Sequence, residues 1–120
     1  VAPAGLSGIR MLAERGLLGP GLIAAHCVYA DAEEIGLLAQ HGAAIAHCPR
    51  SNAILGCGAA PLAGFLASGA RVGLGTDSPA STPSFDMFED YAARGRAFVE
   101  AVGRLAAARG RSTPRDESRP

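Results

Sequence analysis

Three residues in this 120-residue chain combine ligand or proton-transfer chemistry with a shared setting. His26 closes the apolar run LIAAHC, His47 closes the near-copy AAIAHC, and Asp77 follows the apolar VGLGT. Imidazole nitrogen and carboxylate oxygen are ligands for a Lewis-acid divalent metal such as Zn²⁺ or Fe²⁺. The same groups can orient and deprotonate a water for hydrolysis. In parallel α/β proteins the carboxyl ends of the strands are where ligands and catalytic groups collect. Asp77 is therefore the residue around which the chain is expected to be organised. Asp is a poor strand residue, and a lone buried carboxylate is costly unless paired or metal-bound. The competing expectation is a loop cap, accepting N–H bonds from Ala80 or Ser81. For His26 and His47 it is a hydrogen-bonded core histidine, more so for His47.

Other candidates are weaker. The two His-Cys pairs do not make a zinc site, because adjacent strand residues point to opposite faces and no C-x₂-C spacing occurs. Cys27 and Cys48 are expected as small core residues. Asp86, Glu89 and Asp90 are expected on a solvated helix face. SNAILGCG lacks the lysine and spacing of a phosphate-binding loop.

The elements that must position these residues follow from apolar spacing and turn chemistry. Residues 5–16 have rough helical spacing and end at Gly16. Residues 22–27 form a short buried strand after a Gly-Pro-Gly turn. Asp31 with Glu34 makes a capping box for a helix running to Gly42. Residues 43–48 form the second strand, stopped by Pro49, and a Gly-rich connection with one helical turn covers 50–60. Pro61 suits the first position of a helix ending at Gly69. Residues 71–75 form the third strand, and Ser84 caps a long last helix reaching Arg109. Residues 110–120 are polar and Pro-containing, the composition of a disordered tail. The order α-β-α-β-α-β-α argues for a parallel sheet. Three strands form an open sheet or part of a larger fold.

Composition bounds the function. The hydrophobic content of 48% is that of a globular chain, and the formal net charge is zero. Without a basic patch, nucleic acid is not an expected partner. No apolar run is long enough for a membrane helix, and no signal peptide is visible, so no membrane partner is expected. An odd cysteine count without signs of secretion suggests reduced thiols and a cytoplasmic setting. The opening VAPAGLSG, with Val1 instead of Met, is expected to be the front of a piece cut from something longer.

The segment from HCVYADAEE through AHCPRSNAILGCG to GLGTDSPASTPSFDMF resembles the C-terminal half of the catalytic barrel of the metal-dependent amidohydrolases. It is most similar to the branch holding methylthioadenosine/S-adenosylhomocysteine deaminases, guanine and cytosine deaminases, aminodeoxyfutalosine deaminases and triazine chlorohydrolases. The match runs roughly from Gly16 to Phe88. The resemblance implies an α/β fold, a partial (β/α)₈ TIM-like barrel covering about strands six to eight and their helices. Residues 1–109 would be that partial barrel. It implies one divalent metal, Zn²⁺ first and Fe²⁺ second. Asp77 matches the strand-eight aspartate, which ligates the metal, takes a proton from water and lies against the substrate. His26 matches the strand-six histidine, which contacts water and substrate and stabilises developing charge. His47 carries over only as a shaping residue. The implied reaction is hydrolysis at an sp² carbon bearing an amino group, with a small heterocyclic amine as substrate; a homo-oligomer is compatible with it. The family's HxH and HxxE elements are absent from these 120 residues, so the ligand set is incomplete and the chain alone is expected to be inactive. The alternative is a non-catalytic α/β module or a partner-binding half-barrel.

Overall fold

The computed structural model describes residues 5–92 and position 107. Its elements run α1 (Gly8–Glu14), β1 (Ile23–Ala25), α2 (Ala32–Gln40), β2 (Ala44–His47), α3 (Pro49–Ile54), α4 (Leu62–Ala67), β3 (Arg71–Leu74) and α5 (Met87–Asp90). The strands form one parallel sheet in the order β1-β2-β3. Ala24 pairs with Ile45, and Ile45 with Val72, so the carboxyl ends of all three strands lie along one edge.

Local chemistry sets the helix ends. Ser7 caps α1 by accepting the Arg10 N–H, and its hydroxyl also donates to Glu34. Glu34 is the far member of the expected capping box of α2, in which Asp31 accepts the Glu34 N–H at 2.9 Å and Glu34 accepts the Asp31 N–H at 3.0 Å. One hydroxyl thus serves two helix starts. Ser7→Ala should cost about 1 kcal/mol by the usual price of a lost cap, measured as a shift in the urea midpoint at unchanged slope. Gly42 follows α2 at φ +69°, the left-handed conformation that closes a helix with least strain on glycine.

The helices cover one face of the sheet. Leu18, Ile35, Leu38, Ala43, Ile45 and Phe65 form the buried core between them, with Phe65 and Leu38 fully buried. Alternation along the strands sends the other set of side chains outward. Ile23 is 69% exposed there, and Ala25 and Gly73 are exposed beside it. At the amino edge, Arg71 donates to the Pro20 and Gly42 carbonyls and ties β3 to the turns before β1 and β2.

Several expectations are corrected. The first strand ends at Ala25, so His26 and Cys27 lie beyond it in the loop. The connection after β2 holds a full short helix, and the order becomes α-β-α-β-α-α-β-α. Pro49 occupies the first turn of α3, whereas Pro61 is the N-cap of α4. Asp86, not Ser84, caps α5, because its carboxylate accepts the Phe88 N–H at 2.8 Å while Ser84 is engaged by Arg50 and Glu89. Asp90 is fully buried rather than solvated. The expected extension of the last helix to Arg109 and the polar tail lie outside the described residues.

Candidate active site

The loops after β1 and β3 bring two of the three candidates together. His26 Nε2 lies 3.6 Å from Asp77 Oδ2, with each side chain about one third exposed. Both residues take positive φ, +110° for His26 and +63° for Asp77, and Cys27 between β1 and the next turn adds +67°. Such conformations are costly for residues with a Cβ and cluster where a site needs an exact side-chain aim. At the same edge, Gly75 continues the ladder by donating to the His47 carbonyl at 2.9 Å. A Cβ at Gly75 would sit 3.1 Å from Cys48 Sγ, so glycine lets β3 pass close to the end of β2.

Asp77 is gripped by hydroxyls. Ser51 Oγ donates to Oδ2 at 2.6 Å and Ser81 Oγ donates to the same oxygen at 2.8 Å. These two bonds, then the Ser78 N–H and the positive charge of a protonated His26 ring, hold the Asp77 carboxyl below the usual carboxylate range. The expected N–H bonds from Ala80 or Ser81 are replaced: Ser81 reaches Asp77 through its hydroxyl while its N–H donates to the Ser78 carbonyl, and the shortest bond comes from Ser51 in α3. Because the folded value is lowered, the contribution of Asp77 to stability is present above the unfolded carboxyl range, near pH 4, and is lost as pH falls through the folded value. Ser51→Ala should raise the Asp77 value, read by carboxyl-carbon NMR titration. An unchanged midpoint would remove Ser51 from this role.

His26 Nδ1 meets Asn52 Oδ1 at 3.1 Å. His26 and Asp77 line an open pocket of about 370 Å³ whose apolar wall includes Val28, Tyr29 and Leu55. Tyr29 is 86% exposed at its rim. His47, by contrast, is 2% exposed and shares the helix-covered face of β2 with Ile45. Among the described residues, no three His, Cys, Asp or Glu side chains converge as a metal group. The cysteines are free thiols. Burial, then the nearby acids, pushes the Cys48 thiol up, and burial with Glu34 does the same to Cys27. Both are therefore poor thiolate ligands.

A third connection supports the site from behind. The Arg50 guanidinium lies 2.6 Å from Glu89, 3.3 Å from Ser84 Oγ and 3.8 Å from buried Asp90, and the Arg50 N–H donates to Asp90 at 3.4 Å. Arg50, Ser51 and Asn52 thus reach three different partners from consecutive positions in α3. The last two were missed as site residues in the sequence. Their signal there was a polar Ser-Asn pair one residue after the strand-ending His-Cys-Pro, inside the segment that carries the family resemblance.

A parallel sheet carries an imidazole and a carboxylate together at its carboxyl edge, where α/β folds place their ligand sites. Its donor set fits a divalent ion in kind, nitrogen and oxygen converging beside a pocket, and among the described residues falls short of one in number. The chain belongs to the amidohydrolase family, whose pattern it matches over residues 7–114. It is 46% identical over 86 residues to a 5-methylthioadenosine/S-adenosylhomocysteine deaminase of Dictyoglomus thermophilum, covering 72% of this chain and 20% of that protein. A 5'-deoxyadenosine deaminase of Methanothermobacter thermautotrophicus is 42% identical over 86 residues, with the same coverage of 72% and 20%. Among solved structures, an adenosine deaminase from Xanthomonas campestris with bound zinc superposes at TM-score 0.72 and 32% identity, covering 81% of this chain and 23% of that one. The atrazine chlorohydrolase of Arthrobacter aurescens, complexed with zinc, gives 0.63 and 34%, covering 68% and 18%. The chain thus spans about 20% of the length of the curated relatives it matches.

Proposed function

We propose that this chain supplies strands six to eight of a (β/α)₈ barrel in a metal-dependent aminohydrolase acting on a purine-like heterocyclic amine. Residues 1–109 would belong to that barrel and 110–120 to a polar tail. The observation that carries the reading is the convergence of His26 and Asp77 at the carboxyl edge of a parallel sheet, 3.6 Å apart and beside an open pocket. The bare apolar inner face of the sheet, with Ile23 69% exposed, is what a partial barrel would present. The names of the relatives favour an adenine-type nucleoside as the substrate class.

Asp77 and His26 would face a divalent ion, zinc by analogy with the zinc-bound neighbours, with further donors supplied from outside this stretch. The ion would supply Lewis-acid chemistry to hydrolysis. Asp77, held ionised by its two hydroxyl donors, would accept a proton at its carboxylate. His26 would face water and the substrate. Val28, Leu55 and Tyr29 would offer an apolar wall to a flat ring. Alone, the chain is proposed to be inactive. Its three free thiols support a cytoplasmic setting. No helix among the described residues is long and apolar enough to cross a membrane.

The test is a graft. This chain's matching stretch replaces the corresponding one in the Dictyoglomus thermophilum deaminase, and ammonia release from 5-methylthioadenosine is measured. Retained turnover supports the reading. A folded, zinc-loaded graft without turnover overturns it in favour of a non-catalytic module.

A further inference from the structure

Asn52 is 3% exposed, yet it is a full amide placed among buried groups in the middle of α3. Buried amides normally satisfy both ends. Here Oδ1 meets His26 Nδ1 at 3.1 Å, while Nδ2 finds no hydrogen-bond acceptor among the described residues. The amide thus sits with its oxygen, not its nitrogen, toward the His26 ring.

That bond has a chemical consequence. An amide oxygen only accepts, so the ring nitrogen facing it must carry the proton. A neutral His26 protonated at Nδ1 has its lone pair on Nε2. Nε2 is the atom 3.6 Å from Asp77 Oδ2. Two acceptors then face each other across a gap that only an electropositive group, a water O–H or a cation, can bridge. The neighbouring Ser51 acts in parallel on the other partner, donating to Asp77 Oδ2 at 2.6 Å while itself fully buried.

We infer that Asn52 is a positioning residue: it holds His26 in the Nδ1–H tautomer and aims an unprotonated Nε2 at Asp77. The relevance of this to catalysis rests on the function proposed above; the hydrogen bond itself does not. It also refines the role of His26. A neutral ring with a bare Nε2 is an acceptor or ligand at that atom, and it stabilises developing negative charge only after it has gained a proton.

The experiment is a long-range proton–nitrogen correlation spectrum of the ¹⁵N-histidine-labelled chain. It is recorded at alkaline pH, so that the neutral form of each ring is the one read. The chain has 3 histidines, and His26→Gln assigns the relevant one. The expected spectrum shows His26 with a pyrrole-type Nδ1 and a pyridine-type Nε2, the tautomer that a free side chain in water disfavours. Asn52→Asp, which keeps an acceptor at the same place, should retain the Nδ1 proton. Asn52→Leu should return the ring to Nε2–H. An Nε2–H ring in the unmodified chain overturns the inference, since the amide would then present Nδ2 to the ring. An unchanged Nδ1–H ring in a folded Asn52→Leu chain overturns it as well. If that variant does not fold, the unmodified spectrum and Asn52→Asp decide. A graft that lacks turnover while His26 remains Nδ1–H counts against the proposed function and leaves this bond standing.

Discussion

Asp77→Asn in the grafted enzyme should lower kcat/KM by about 10³-fold or more, at the upper part of the range for removal of a positioned acid–base group. The substitution keeps the shape and removes the charge, so Ser51 and Ser81 can still donate to the remaining oxygen. Folding should therefore survive while proton acceptance and metal retention fail together. Zinc content after dialysis, measured by atomic emission on the same preparation, provides the second reading. Full zinc occupancy with lost turnover would make Asp77 a proton acceptor but not a ligand. Unchanged turnover would dismiss it from the site, and with it the proposed mechanism.

Phe65→Ala should be the most destabilising single substitution in the described core, costing about 3–5 kcal/mol. Phe65 is fully buried in α4, within the cluster that holds Ile35, Leu38 and Ile45. Small domains have only about 5–15 kcal/mol in total, so the variant should unfold at far lower urea or not fold at all. Ile23→Ser is the control. Its residue is equally apolar, but at 69% exposure on the bare face it should shift stability by no more than about 0.5 kcal/mol in the chain alone. A large loss at Ile23 would mean that this face is covered in solution.

The elements visible in the sequence were those with local signals. The capping box Asp31–Glu34, the terminating Gly42 and the three apolar runs each describe themselves within a few residues, and they placed α2 and the parallel sheet. What remained hidden depended on residues brought together by folding. Ser and Asn are weak helix formers that favour caps and turns, so residues 50–60 read as a connection with one helical turn and the inward roles of Ser51 and Asn52 stayed hidden. Pro49 reads locally as the stop of a strand, although a proline serves equally well in a first helical turn. Asp90 looked solvated because a charge on a helix usually is. It is buried because Arg50, 40 residues earlier, reaches it, and no local pattern announces such a pair. The left-handed backbone at His26 and Asp77 was equally invisible, since neither residue is a glycine. That His26 and Asp77 share one edge of the sheet was legible; the groups that hold them there were not.

The consecutive reach of Arg50, Ser51 and Asn52 sets how this segment can change over time. Side-chain swaps at one of the three alter one contact. A single inserted or deleted residue ahead of them turns the helix by about 100° per residue and re-aims all three at once, releasing the α5 acids, the Asp77 carboxylate and the His26 ring together. Length variation should therefore be confined to the Gly-rich connection between α3 and α4, where Gly56 and Gly58 already hold left-handed turns and no such partner is lost. Drift in this part of the chain is constrained in length before it is constrained in composition.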